Sequence, residues 1–278
     1  MALAPSMPAA TIAEILRAAR IDPLDARVLL QAALGVSHAY LAAHPGDVVA
    51  GERLARYLAL AARRAAGEPV AYLTGEREFF SLEFKVTPAV LIPRPETELL
   101  VELALERIPQ DASCRVLDLG TGSGCVAISI AKHRPRARVT ATDRSRHALE
   151  IAAENARALG VHNIEFAQGG WFAAIGGERF DVIVSNPPYI AEGDPHLVKG
   201  DVRFEPVAAL TAGADGLACL RDIVGASGAH LTAGGWLLFE HGWDQAEKCR
   251  ALLQAAGFSA IRSWQDLAGI ERVSGGVM

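Results

Sequence analysis

From Cys114 to its end, the chain alternates short apolar runs with segments of helical periodicity, and this alternation constrains the fold most strongly. Strands separated by helices in this way form a parallel sheet that is covered by helices on both faces. In chain order, the predicted strands span 115–119, 137–142, 164–167, 180–184, 235–240, 259–265 and 269–274. A chain of 278 residues is long enough for such an α/β domain and a second, smaller domain.

Residues 11 to about 74 show helical periodicity throughout and predict a small helical bundle. Thr11, followed by Glu14 three residues later, is typical of a capping box that opens a helix. The longest helix is predicted over residues 49–66. Its apolar side is expected to carry Leu54, Leu58 and Ala62.

A β-hairpin is predicted between the two regions. Residues 79–86 alternate apolar and polar side chains as a half-buried strand does, and residues 89–92 are expected to pair with them. The predicted organisation is therefore a helical domain over residues 1–76, a hairpin linker over 77–93 and an α/β domain over 94–278.

A buried strand ending in Asp118-Leu119 runs into the turn Gly120-Thr121-Gly122-Ser123-Gly124 and then into a helix. Glycines allow a tight turn close to a ligand, and the helix N-terminus offers free N–H groups. Asp143 ends the next strand, where a carboxylate can accept hydrogen bonds from a ribose. This loop alone suits either a nicotinamide dinucleotide or S-adenosylmethionine. Asp118 favours S-adenosylmethionine, because a carboxylate there attracts a cationic amino-acid moiety and repels a pyrophosphate.

The strand over 180–184 leads into Ser185-Asn186-Pro187-Pro188-Tyr189. An NH₂ group on a carbonyl or aromatic ring is a poor nucleophile, since its lone pair is delocalised. The Asn186 side-chain oxygen and the Pro187 carbonyl can each accept one of its hydrogens, while Tyr189 can stack on the planar group. This segment therefore predicts methylation of a planar nitrogen, with no need for a metal or a nucleophilic residue.

Charge and cysteine usage restrict the expected class of substrate and the expected compartment. The net charge of −5 disfavours a nucleic-acid substrate, because binding to phosphates usually needs a basic face. The four cysteines are scattered, without the Cys-x-x-Cys spacing of zinc or redox sites, and are expected to be buried and structural. With no secretory signal and no apolar run long enough to span a bilayer, a cytoplasmic protein is expected.

Six segments match motifs of one protein family: 75–79, 92–98, 118–124, 185–190, 201–206 and 240–242. On these segments the chain resembles the release factor glutamine methyltransferases (the HemK/PrmC group). The resemblance runs from about residue 67 to the end. The motifs at 92–98 and 201–206 are its most restricted parts, whereas many methyltransferases share the glycine loop.

The resemblance implies methylation of the glutamine side-chain nitrogen (N5) in the Gly-Gly-Gln motif of class 1 peptide chain release factors. It also implies a seven-stranded, mostly parallel, Rossmann-like methyltransferase domain whose last strand is antiparallel, and an N-terminal domain that helps to grip the protein substrate. The implied cofactor contacts are Gly120, Thr121, Gly122, Ser123, Gly124, Asp143, Trp171 and Asn186, and the implied glutamine contacts are Asn186, Pro187, Pro188 and Tyr189.

One position departs from the family pattern. The family commonly has an acid before the Trp171-Phe172 pair, where a carboxylate can reach the adenine amino group, and here that position is Gly170. The adenine contact is therefore expected to rest on Trp171 and on backbone groups.

Three other functions compete with this hypothesis. An amino-group methyltransferase acting on adenine or guanine in nucleic acid would use Asn186–Tyr189 equally well, but the acidic charge disfavours it. In a nicotinamide-dependent oxidoreductase, the segment Asn186–Tyr189 would have no evident function. A cofactor-binding module without catalysis would not need Asn186 and Tyr189. His241 is expected to be structural, because the methylated nitrogen sheds its proton without a base.

Overall fold

The computed structural model describes residues 9–278, which divide into a unit ending at Gly75 and a unit spanning Glu76–Met278. Each unit has its own hydrophobic core. The assignment of residues 77–93 as a linker stays a prediction. Among the described residues, no helix combines the length and apolar character that crossing a bilayer requires.

The described part of the first unit combines five helices with a two-stranded sheet. Its elements are β1 (Ala9–Thr11), α1 (Ile12–Ala18), α2 (Pro23–Leu34), α3 (His38–Ala43), β2 (Val48–Ala50), α4 (Gly51–Ala65) and α5 (Val70–Thr74). The predicted capping box at α1 is confirmed, because Thr11 Oγ1 accepts from the Glu14 amide at 3.3 Å and Glu14 Oε2 accepts from the Thr11 amide at 2.8 Å. The small antiparallel sheet was not predicted, and residues 48–50 belong to it.

The buried face of α4 differs from the predicted one. Leu54 is only 4% exposed, as expected, but Leu58 is 47% exposed. Tyr57 and Leu60 complete the buried face instead. The apolar stripe therefore follows steps of three residues, and the predictions for Leu58 and for Ala62, which is also exposed, are wrong.

A hairpin opens the second unit, formed by β3 (Glu76–Phe79) and β4 (Leu82–Lys85). These strands pair with each other, so the predicted pairing with residues 89–92 is wrong. Phe80 and Ser81 make the turn with φ angles of 52° and 59°, a conformation usually taken by glycine or asparagine. Phe79 and Phe84 are buried in the core of this unit.

Seven further strands form one sheet in the order β10-β11-β9-β8-β5-β6-β7. The strands are β5 (Arg115–Leu119), β6 (Arg138–Asp143), β7 (Ile164–Gln168), β8 (Phe180–Ser185), β9 (Leu231–Glu240), β10 (Ser259–Gln265) and β11 (Glu271–Val277). The helices are α6 (Glu98–Arg107), α7 (Cys125–His133), α8 (Arg146–Ala158), α9 (Ala218–His230) and α10 (Ala246–Ala255). Only β11 runs antiparallel to its neighbours, which confirms the predicted seven-stranded sheet with an antiparallel last strand.

Alternate residues of the central strands enter two cores, one on each face of the sheet. Val116 and Val182 pack with α6 and α7 on one face. Leu117, Ile183 and their neighbours pack with α9 and α10 on the other. Because both faces are covered, most positions of strands β5 and β8 are apolar, the exceptions being Arg115, Asp118, Asp181 and Ser185.

Candidate active site

The strand order reverses at β5, which pairs with β6 on one side and β8 on the other. In open α/β sheets, ligands bind outside the carboxyl ends of the strands at this point. A cavity of about 700 Å³ lies there, lined by residues that follow β5, β6 and β8. Strands β5 and β8 are neighbours in the sheet, and residues that follow each of them line this cavity.

The glycine loop adopts the conformation that its sequence predicts. Gly120, Gly122 and Gly124 all have positive φ, between 56° and 84°. The Gly120 and Thr121 amides both donate to the Thr142 carbonyl at 2.9 Å, which holds the loop against β6. Gly120, Thr121, Gly122 and Ser123 line the cavity.

Gly124 has a different position from the rest of the loop. A Cβ atom there would lie 2.7 Å from Ile128 Cδ1 and 3.1 Å from the Ala152 side chain. Glycine at this position therefore leaves room for Ile128 and for Ala152 of α8, whereas a Cβ at Gly122 would meet no heavy atom within 4 Å.

Asp118 is a buried carboxylate, 1% exposed, in the cavity wall. Its Oδ2 accepts a 2.7 Å hydrogen bond from the Thr121 hydroxyl. Burial raises the pKa of Asp118 to about 7, although the Thr121 bond opposes the rise, and the negative charge of Asp143 adds to it. A cation beside Asp118 would offset the cost of this burial.

Asp143, at the end of β6, is fixed by the backbone. Its two oxygens accept from the Gly122 amide at 2.9 Å and from the Ser145 amide at 2.8 Å. Each carboxylate oxygen retains a second lone pair, so Asp143 can still accept hydrogen bonds from a ligand in the cavity.

Trp171 lines the same cavity with an unusual backbone conformation. Its φ is 48°, which costs a bulky residue about 1–3 kcal/mol and is typically found at functional sites. Gly170 is exposed beside it, its φ is not positive, and no heavy atom lies within 4 Å of a Cβ built on it. An acidic side chain would therefore fit at residue 170 without strain.

The segment after β8 contributes Asn186 and Pro188 to the cavity wall, whereas Pro187 and Tyr189 are not in the wall. Asn186 Nδ2 donates to Thr97 Oγ1 at 3.1 Å, and the Tyr189 hydroxyl donates to Glu240 Oε1 at 3.1 Å. Burial, with the charge of Glu240, raises the pKa of Tyr189, which keeps its hydroxyl protonated.

Two further segments line the cavity, 89–94 and 206–211, and of these residues sequence reasoning had considered only Arg94. Glu205 joins them, since its carboxylate accepts from the Ile92 amide at 3.1 Å and forms an ion pair with Arg94. Both segments adjoin restricted motifs of the family resemblance, which was the available signal.

The cysteines are only partly as expected. Cys114 and Cys249 are buried, but Cys125 and Cys219 are half-buried and line the cavity. Burial raises the pKa of Cys125 to about 12, which keeps this thiol un-ionised. His241 is buried, with Nε2 2.8 Å from the Ser274 hydroxyl and Nδ1 2.9 Å from the Gly242 carbonyl, in keeping with a structural role.

Comparison with known proteins gives the family. Residues 96–200 match the family model for the methyltransferase small domain, and residues 10–75 match the one for the PrmC N-terminal domain. The release factor glutamine methyltransferase of Burkholderia pseudomallei is 57% identical over 273 residues, covering 96% of each chain. The chain belongs to the release factor glutamine methyltransferase family. The family member from Bordetella pertussis is 53% identical over 256 residues, covering 92% of this chain and 94% of the relative.

Solved structures agree on the fold. A methyltransferase from Pyrococcus furiosus superimposes with a TM-score of 0.54 at 19% identity, covering 78% of this chain and 95% of that one. At this identity the likeness concerns the fold alone.

Proposed function

We propose that this chain transfers a methyl group from S-adenosylmethionine to the side-chain nitrogen (N5) of the glutamine in the Gly-Gly-Gln motif of class 1 peptide chain release factors. The observation that carries the proposal is the Asn186 amide in the wall of the cavity, with its NH₂ engaged by Thr97 and its oxygen left for a substrate N–H. The family to which the chain belongs supports the same reaction.

The residues of the cavity fit S-adenosylmethionine. Asp118 is a desolvated carboxylate, which suits the positively charged α-amino group. Asp143 has free lone pairs for the ribose hydroxyls. Trp171 offers an aromatic face for the adenine, and Gly120 and Gly122 let the backbone approach the ligand. When bound, the cofactor supplies a methyl group activated by a sulfonium.

In the proposed mechanism, hydrogen bonds orient the target glutamine amide for methyl transfer. Asn186 Oδ1 accepts one hydrogen of the glutamine NH₂ and the Pro187 carbonyl accepts the other, so that the nitrogen lone pair is aimed at the methyl group. Prolines at 187 and 188 restrict the loop before the substrate arrives, which lowers the entropy lost on binding. Positioning of this kind is worth up to about 7–11 kcal/mol.

The first experiment is methyl transfer from labelled S-adenosylmethionine to a purified class 1 release factor, beside its Gly-Gly-Gln to Gly-Gly-Ala variant. Label on the wild-type factor alone is expected. DNA and transfer RNA run in parallel, because the Asn186–Tyr189 segment could equally hold a base amino group. Label on nucleic acid alone would replace the proposed substrate and leave the fold and the family unchanged.

The Asn186→Ala variant tests the mechanism in the same assay. It removes the acceptor for the substrate N–H, and we expect a rate loss of about 100-fold or more with cofactor affinity little changed. Transfer within a few-fold of wild type would contradict the proposed role of Asn186.

A further inference from the structure

We propose that Glu240 is a positioning residue that, acting through Thr97, sets which way the Asn186 amide faces. The inference rests on the proposed function and adds two residues, Glu240 and Thr97, that lie 143 positions apart.

The network is a chain of three short contacts. Asn186 Nδ2 donates to Thr97 Oγ1 at 3.1 Å, and Thr97 Oγ1 donates to Glu240 Oε2 at 2.6 Å. The other carboxylate oxygen, Oε1, accepts from the Tyr189 hydroxyl at 3.1 Å. Asn186 and Thr97 line the cavity, while Glu240 contacts Thr97 from the interior and is 2% exposed.

The direction of these hydrogen bonds follows from whether each group can donate or only accept. An ionised carboxylate only accepts, so the single hydrogen of the Thr97 hydroxyl is committed to Glu240. The hydroxyl oxygen then has only lone pairs for Asn186, and only the NH₂ half of the Asn186 amide can satisfy them. The amide oxygen is therefore directed away from Thr97, where it can accept a substrate N–H.

The opposite orientation of the amide would prevent the productive alignment of the glutamine nitrogen. If Asn186 Oδ1 faced Thr97, the hydroxyl would have to donate to it and Glu240 Oε2 would lose its donor in a buried site. Asn186 would then present its own NH₂ to the NH₂ of the substrate, with no acceptor between them. The carboxylate of Glu240 thus selects the productive orientation without touching the substrate.

The Thr97 hydroxyl is not used to cap helix α6, so it is available to Glu240 and Asn186. Thr97 occupies the N-cap position of α6, where a threonine hydroxyl commonly accepts from the first backbone N–H groups of the helix. Here its side chain makes no such capping bond, and the residue is 2% exposed. Its hydroxyl joins Glu240 to Asn186 instead.

The protonation state of Glu240 controls the direction in which the Thr97 hydroxyl donates its hydrogen. Burial raises the pKa of Glu240 to about 6, against the bonds from Thr97 and Tyr189 and the charge of Arg272, while Glu96 adds to the rise. Because Tyr189 donates to Oε1, a proton on the carboxyl group goes to Oε2 and points at Thr97. The hydroxyl then accepts from Glu240, and its own hydrogen is released to donate to Asn186 Oδ1, so Glu240 no longer selects between the two orientations of the amide.

The test compares Thr97→Val with Thr97→Ser in the full-length chain, using labelled S-adenosylmethionine and a class 1 release factor. Valine has the shape of threonine without the hydroxyl, and serine restores the hydroxyl. We expect kcat to fall at least tenfold in Thr97→Val and to stay within about threefold in Thr97→Ser. The Kd for the cofactor and the KM for the release factor should change less than twofold in both.

The pH dependence of kcat distinguishes the proposed positioning role from a purely structural one, because a structural role would leave it unchanged. At saturating cofactor, wild-type kcat should fall below about pH 6 toward the kcat of Thr97→Val, as Glu240 becomes protonated. Thr97→Val should lose that pH dependence, and Thr97→Ser should keep it.

Two outcomes would overturn the inference: a Thr97→Val variant with wild-type kcat, or a wild-type kcat that stays constant from pH 7 to pH 5. The second applies even if Thr97→Val does not fold. A wild-type chain that fails to methylate the release factor at any pH would instead reject the proposed function.

Discussion

At the scale of single residues, Asp118 makes cofactor binding depend on pH. Its pKa is raised to about 7 by burial, so near pH 6 most of the free protein holds the carboxyl group neutral. A bound α-ammonium group favours the ionised form, and binding below pH 7 must first release that proton. We expect the Kd for S-adenosylmethionine to rise by about tenfold per pH unit below 7 and to be nearly constant just above it.

Calorimetric titration between pH 5.5 and 8 measures this slope, with Asp118→Asn as the control. Asparagine has nearly the same shape but carries no charge, so its Kd should be higher at pH 8 and should lose the slope below pH 7. A slope that is identical in Asp118→Asn would assign the proton to another group or to the cofactor itself.

Gly170 occupies the position at which the family resemblance implies an acid, and the structure leaves room for an acidic side chain there. Because a Cβ at residue 170 meets nothing within 4 Å, Gly170→Asp should add an acceptor for the adenine amino group without strain. A charged hydrogen bond of about 1.5 kcal/mol corresponds to a Kd for the cofactor lower by roughly tenfold.

The Gly170→Ala variant is the matched control, because it makes the same backbone change without the acceptor. Its Kd for S-adenosylmethionine should equal that of wild type within about twofold. Equal affinity for Gly170→Asp and Gly170→Ala would mean that residue 170 does not reach the adenine.

At the scale of elements, helix α4 offers a paired test of which face is buried. Leu54 is 4% exposed and Leu58 is 47% exposed, although both are leucines one helical turn apart. Leu54→Ala should lower the free energy of unfolding by about 2–5 kcal/mol, because it leaves a cavity in the N-terminal core. Leu58→Ala should change it by no more than about 0.5 kcal/mol.

Urea unfolding followed by circular dichroism measures both variants. Similar losses of stability in the two would contradict the assignment of the faces of α4. The test is specific to the N-terminal unit, whose core includes Leu54 and no residue beyond Leu73.

Elements were predictable where the local signal was strong. Strand β5 begins and ends at the predicted residues, because a buried run followed by a glycine turn has few alternatives. The hairpin β3–β4 was mispaired, because its turn residues, Phe80 and Ser81, are not the glycine or asparagine that marks such turns. Strand β2 is three residues long and merges with the periodicity of α4, so nothing local distinguishes it.

At the scale of the whole molecule, the site was predictable only where its residues are close in sequence. The glycine loop and the Asn186 segment each form one local motif that points to its own chemistry. The contacts of Thr97 with Glu240 and of Arg94 with Glu205 join residues 143 and 111 positions apart. No periodicity or spacing links such positions, since tertiary packing alone brings them together.

The division into two units predicts that the second unit folds and binds the cofactor without the first. All core residues of the N-terminal unit lie before Gly75, and both cores of the second unit lie after Glu76, so each unit buries its own apolar surface. The whole cavity is lined by residues from 89 onward. A fragment spanning residues 76–278 should therefore fold and bind S-adenosylmethionine within about threefold of the full chain.

The proposed role of the N-terminal unit is to grip the protein substrate, and the same fragment tests it. If that role is right, the KM for an intact release factor should rise at least tenfold, while transfer to a short peptide containing Gly-Gly-Gln should be unaffected, because the peptide reaches the cavity alone. Equal loss toward both substrates would show that removal of the N-terminal unit damages the catalytic unit itself. Unchanged activity toward the intact factor would mean that the second unit contains the whole of the recognition surface.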